Sequence, residues 1–270
     1  MLIAVCPPSR TRKTDTVTSF SDWGCMMPEL GSRGRIGLIL PSVNTVAEPE
    51  MNLMRPEGIT VHAARMLIPD DISSIEAFVQ MCEVGCRNAE KTAKELATAK
   101  VDVYAFAFTA GSFFRGAGWD EEIADRIEQV GHAPCVVTST AAIDALNAYG
   151  VKKVAIVSPY AVGNELLKKF FLEKGMEVSR MEGLTVSSAK EEGRQGIDIF
   201  KNLVQRVLAP EVEAVFVSCT NFATIACLDE LEKSYGKLII SANQATFWAA
   251  LRRIGILDKV EGFGRLLREK

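Results

Sequence analysis

Residues 103–112 read VYAFAFTAGS and residues 214–222 read AVFVSCTNF, and each is an apolar run that breaks into small hydroxyl and amide residues. Short apolar runs bounded in this way form strands buried on both faces of a parallel sheet. Laying one stretch on the other aligns Phe108 with Cys219, Thr109 with Thr220 and Ala110 with Asn221. One copy therefore offers a thiol where the other offers an aromatic wall.

The chain on either side of these stretches alternates between strand and helix. The run Ile36-Gly37-Leu38-Ile39-Leu40, stopped by Pro41, opens a first series with strands expected at 59–64, 101–107 and 134–137 and helices at 75–99 and 119–130. A second series places strands at 153–157, 177–181, 214–217 and 237–240, with helices at 164–174, 198–207 and 224–235. Residues 136–140 (VVTST) and 239–243 (IISAN) each lead from a strand into a further helix. The repeated order predicts an α/β fold of two pseudo-symmetric Rossmann-like, flavodoxin-like halves, each a parallel sheet flanked by helices. The halves are expected at 34–139 plus 242–270 and at 140–241. Residues 1–33, rich in Ser, Thr, Pro, Gly and Arg, read as a flexible N-terminal extension.

Composition removes several function classes. A formal net charge of -3, with Lys and Arg scattered along the chain, leaves no basic footprint for nucleic acid. Seven cysteines and only two histidines, without a CxxC pair, argue against a structural zinc site. Cys82 and Cys86 lie four apart on an expected helix, where small apolar residues on a buried face are commoner than a ligand pair. The apolar run at 2–5 is too short for a leader and is stopped by Pro7 and Pro8, and no window reaches the roughly twenty apolar residues of a membrane span. An odd cysteine count without a leader points to a reducing cytoplasm.

Ligands of parallel sheets sit beyond the carboxyl ends of the strands. Here those ends carry Asn44, Phe108 to Ala110, Tyr160 and Cys219 to Asn221, and a pseudo-twofold arrangement brings all four around one cleft. Cys219 is expected at a helix N-terminus, where the dipole and backbone amides lower a thiol pKa; the plainer reading is one more buried cysteine. Thr109 and Thr220 hydroxyls with Asn44 and Asn221 amides would supply neutral donors to a carboxylate. Tyr160 either donates its phenol to that carboxylate or simply packs. Glu48 and Glu50 flank Pro49 and read as serving a helix dipole and solvation. Ser112 and Ser139 lack a histidine at triad spacing, with His62 and His132 in structural surroundings. No glycine-rich phosphate motif is present.

Taken in order, PSVNTVAEPE (41–50), TAGSFFRGAGWD (109–120), TSTAAIDAL (138–146), VAIVSPY (154–160), SCTN (218–221) and ATFWAALRRIG (245–255) resemble blocks of the aspartate/glutamate racemase superfamily. Within it the chain is most similar to the branch of maleate cis-trans isomerases and arylmalonate decarboxylases, over about residues 35–265. The resemblance implies a cofactor-free site between two halves, without a metal, with Asn44 contacting a substrate carboxylate. Racemases and maleate isomerases use a cysteine from each half, and in the isomerases the first-half thiol adds to the double bond. The first-half position here is Phe108, which can neither shuttle a proton nor form a thioether. Arylmalonate decarboxylases keep only the second-half cysteine, with glycine at the first. By that likeness Thr109, Tyr160, Cys219 and Thr220 line a dioxyanion hole, Ala110 stands where the decarboxylases have serine, and Phe108 forms a pocket wall.

The expected activity is therefore decarboxylation of a substituted malonate-like dicarboxylic acid, with Cys219 protonating the enediolate. The alternatives are a maleate isomerase-like enzyme and a catalytically silent protein that binds a small acid. The partner in each case is a small dicarboxylic acid rather than nucleic acid or membrane, and homo-oligomerisation is left open.

Overall fold

The computed structural model describes residues 29–270, so residues 1–28 of the extension expected over 1–33 lie outside the described residues. Within the described end of that extension Arg33 is tied down, its guanidinium donating to Asp258 at 2.8 Å. Eight strands follow in two parallel sheets. The first contains β1 (Gly34–Pro41), β2 (Ile59–Met66), β3 (Val103–Phe106) and β4 (Cys135–Val137) in the order β2-β1-β3-β4. The second contains β5 (Lys153–Ser158), β6 (Glu177–Gly183), β7 (Ala214–Val217) and β8 (Leu238–Ser241) in the order β6-β5-β7-β8. The two orders match strand for strand.

The strands form where the sequence is apolar without interruption. Ile36, Leu38, Ile39 and Leu40 of β1 and all of β7 are fully buried. That is the signature of a strand covered on both faces. Of the four edge strands, β2 and β6 are partly exposed, whereas β8 is buried throughout.

Helices cover both sheets: α1 (Ala47–Met54), α2 (Ile75–Ala97), α3 (Thr109–Phe113), α4 (Trp119–Gly131), α5 (Thr138–Asn147), α6 (Asn164–Glu173), α7 (Ala189–Glu192), α8 (Ile197–Val207), α9 (Leu228–Tyr235), α10 (Ala242–Arg253) and α11 (Arg265–Glu269). On α2 the buried positions Phe78, Met81, Cys82, Gly85, Cys86 and Ala89 recur at helical spacing, so both cysteines face the core as free thiols. Its start is capped by Ser74, whose hydroxyl accepts from the amide of Ala77 at 3.2 Å. A capping box between Ser241 and Gln244 opens α10. After the second sheet α10 returns to pack on β3 and β4, and Thr246 on it donates to Thr138 of α5 at 2.9 Å.

Two further connections shape the cleft. The segment after β2 and the segment after β6 meet through an antiparallel bridge between Asp71 and Ser188. Asp70 accepts from the Ser188 hydroxyl at 2.7 Å and from the Lys190 amide at 2.9 Å. The short helix α7 is thereby strapped across the carboxyl ends of the strands.

Candidate active site

Beyond the ends of β1, β3, β5 and β7 lies a cavity of about 30 Å³, and Asn44, Phe108, Thr109, Ala110, Tyr160, Cys219, Thr220 and Asn221 all line it. Every residue singled out from sequence as a catalytic, binding or wall position thus reaches one place. Where one water needs about 10–15 Å³, the space holds about two. Pro41, Val43, Ile68, Phe78, Met81 and Ala189 complete an apolar side, and no Lys, Arg or His is among the lining residues.

The polar lining residues differ in what they can still offer. Asn44 accepts from the amides of Val46 and Ala47, both at 2.9 Å, and donates to the Thr220 hydroxyl at 3.1 Å. Asn221 accepts from the Thr45 amide at 3.0 Å and donates to the Ala189 carbonyl at 3.2 Å. The Thr220 hydroxyl donates to the Ala107 carbonyl at 2.9 Å. These three residues stitch one half to the other. Thr109 Oγ1, by contrast, is buried without a hydrogen-bond partner among the described residues, and a buried hydroxyl left so is costly unless something fills its place. The Tyr160 phenol is only loosely engaged, 3.4 Å from Ser218 Oγ.

Phe108 is seated rather than merely tolerated. Its ring meets Phe106 edge-on with centroids 6.0 Å apart. It lies against two glycines: a methyl at Gly85 would sit 2.6 Å from the ring, and one at Gly111 would collide with it outright. The aromatic wall has a slot built for it from α2 and α3.

Cys219 departs from the expectation that it begins a helix. Its backbone adopts φ 91°, the left-handed region that non-glycine residues rarely occupy, and the chain turns away before a 3-10 turn at Ile225–Cys227 and then α9. Cys219 is therefore not the start of a helix of its own. Its sulfur accepts from the Asn221 amide at 3.3 Å and donates to Glu192 Oε2 at 3.0 Å. Burial and the neighbouring carboxyl push the thiol well above its ordinary value, opposite to the lowering that a helix N-terminus would give. Burial likewise raises Glu192 to about 8. The pair is built to hold protons.

Glu50 also departs from expectation. Although Glu48 is at the surface beside Arg65, Glu50 is buried and accepts from the amides of Thr224 and Ile225 at 2.6 and 3.1 Å and from Asn243 Nδ2 at 2.7 Å. It clamps the segment after Cys219 onto the first half. Among the described residues, no three His, Cys, Asp or Glu side chains converge as metal ligands would, and no helix is long and apolar enough to cross a membrane.

A family model described as arylmalonate decarboxylase matches residues 36–267. The chain belongs to that family. Over 86% of its length it is 29% identical to a maleate isomerase of Pseudomonas putida, covering 96% of that protein. Over 85% it is 24% identical to an arylmalonate decarboxylase of Bordetella bronchiseptica, covering 97% of that protein. Among solved structures, the maleate isomerase Iso from Pseudomonas putida S16 is 27% identical with a TM-score of 0.79, over 87% of this chain and 98% of that one. The arylmalonate decarboxylase family thus includes relatives of both activities, and those relatives are enzymes.

Glu192 is the one polar lining residue that the sequence reading left out. It lies in SAKEEG (188–193), a charged stretch that resembles any solvated loop, and nothing local separates Glu191 from the buried Glu192. The repeat itself held a clue, because it sets the segment after β6 opposite the segment after β2.

Proposed function

We propose that the protein decarboxylates a substituted malonate-like diacid without a cofactor, and that Cys219 protonates the enediolate that remains. The observation carrying this reading is one thiol, Cys219, facing a seated aromatic ring, Phe108, across the cleft. Proton delivery from one side suffices for decarboxylation, whereas exchange on two faces needs a second group. One substrate carboxylate would take the unpartnered Thr109 hydroxyl and the Tyr160 phenol, which can also stabilise the enediolate charge. The other would face Val43, Ile68, Met81 and Phe108, where loss of its hydration favours departure as carbon dioxide.

A second reading is isomerisation of a small unsaturated diacid, supported by a likeness to the Pseudomonas putida maleate isomerase comparable to that to the decarboxylase. It requires Cys219 itself to add to the double bond, or another thiol to reach the cleft. Proton NMR of phenylmalonate and of maleate incubated with the enzyme in deuterated water separates the two. A monodeuterated monoacid supports decarboxylation; fumarate without carbon dioxide replaces it with isomerisation. Binding of either acid without conversion would make the protein a silent receptor and defeat both.

A further inference from the structure

Two glutamates are buried beside the cleft, and they are held in opposite ways. Glu50 accepts three hydrogen bonds from N–H donors. Glu192, at the end of α7, accepts none from an N–H: among the described residues its only side-chain hydrogen bond comes from the Cys219 thiol, which donates at 3.0 Å. No ion pair involves it among the described residues. A buried carboxyl kept for scaffolding finds amides or a cation, because an uncompensated buried charge is expensive. The groups that bear on Glu192 electrostatically are Asp70 from the segment after β2, Cys219 after β7, Tyr160 after β5 and Cys82 on α2, all acids or weaker acids. Lys190 is turned to Asp70, which it pairs with at 2.9 Å. The surroundings therefore favour a neutral carboxylic acid touching the sulfur.

We propose that Glu192 is the proton store for Cys219, reloading the sulfur each time it has given its proton away. This rests on the reading above, in which Cys219 is the proton donor. When carbon dioxide leaves, the pair of the broken C–C bond passes into the enediolate. The enediolate carbon then takes the proton of the S–H group and leaves a thiolate. The thiolate takes the proton of the Glu192 carboxyl, and the carboxylate so formed is reprotonated from water once the strap carrying α7 lifts. Each cycle consumes one solvent proton and returns both groups to their starting state. Glu192 acts through Cys219 and does not touch the substrate carbon. With Phe108 opposite, all of this proton traffic runs on one side of the cleft.

Two measurements test the proposal. Infrared difference titration of the wild-type protein against Glu192→Gln should show a protonated carboxyl band that the variant lacks and that fades as the pH rises through about 8. With phenylmalonate as probe, the first turnover of Glu192→Gln should stay near the wild-type rate, because its sulfur starts protonated. Its steady turnover should fall roughly 10-fold or more at unchanged KM, with partial recovery in Glu192→Asp. Absence of the band, or steady turnover equal to wild type in Glu192→Gln, overturns the proton store. The infrared result stands without turnover, so a protein inactive on phenylmalonate is still tested. Should Cys219→Ala turn over as fast as wild type, the decarboxylase reading itself fails; should Cys219→Ala be inactive while Glu192→Gln cycles freely, only the role of Glu192 falls.

Discussion

Phe108 stands two residues beyond the end of β3, Cys219 stands two residues beyond the end of β7, and both line the same cavity. The two sheets have the same strand order, so these are equivalent places in a repeated design. One half has kept a group that can carry a proton; the other has filled the place with a ring locked between α2 and α3. In the proposed decarboxylation this asymmetry makes proton delivery one-sided.

Replacing the thiol tests that direction most simply. Cys219→Ala should lower turnover on any converted diacid by about 100-fold or more, the scale on which positioned acid–base groups act. The fold should survive, because one small side chain is lost from a site whose two halves remain joined through Asn44, Thr220 and Asn221. Steady-state rates alongside thermal unfolding check both parts. A large loss of melting temperature would instead make Cys219 a packing residue.

The sheets were legible in the sequence because their strands are apolar and closely spaced, a signal that needs no partner to be read. The short elements were not. α1 contains Pro49, which a first helical turn tolerates because its missing N–H would have no intrahelical partner, but which in sequence fits a loop as well as a helix start. The helix expected over 224–235 begins instead with a 3-10 turn at Ile225–Cys227, and the amides of Thr224 and Ile225 are held by Glu50, 174 and 175 residues earlier. The same distance hid the environment of Cys219: the sulfur's partner arrives from the segment after β6, and no local pattern marks it. The cleft residues were legible because they end strands; their protonation was not, because it depends on which side chains bury one another.

Truncating the aromatic wall should cost stability and alter substrate range together. Phe108→Ala removes a ring packed on Phe106, Gly85 and Gly111, and losing a buried phenyl typically costs about 3–5 kcal/mol. The space it leaves lies inside the cleft, so kcat/KM should shift toward malonates with bulkier substituents relative to small ones. Denaturant unfolding and a substrate panel measure the two effects. An unchanged preference, with the expected loss of stability, would show that the ring does not limit the substrate.

Asp70 holds the strap across the carboxyl ends of the strands. Burial pushes the Asp70 carboxyl up, but hydrogen bonds from Lys190 and Ser188 outweigh burial and hold it below the ordinary carboxylate value. The tether should therefore persist through mildly acid conditions. Asp70→Ala removes the acceptors of the Lys190 amide and the Ser188 hydroxyl, and hydrogen bonds to a charged group are worth about 1.5–3 kcal/mol each. Hydrogen exchange at the Lys190 amide should accelerate roughly tenfold or more, following the energy of the lost contact. Protection equal to wild type would mean that the strap is held by its other contacts, such as the Ile72 amide on the Ser187 carbonyl.

The carboxyl beside the thiol should also leave its mark on stability. Glu192 has a folded value of about 8 against 4.5 for the free side chain, so the folded state holds the proton more tightly. Its stabilising contribution is then fully present below 4.5 and is lost as the pH rises toward and through about 8, where burial makes the carboxylate unfavourable. At about 1.4 kcal/mol per tenfold change in proton affinity, the loss amounts to at most about 5 kcal/mol. Glu192→Gln removes this dependence while keeping the shape of the side chain. Between pH 5 and about 9 the melting temperature of the wild type should fall relative to that of the variant. Parallel curves across that range would mean that Glu192 ionises as freely in the folded protein as in water, and that its neighbour Cys219 has no neutral acid at its side.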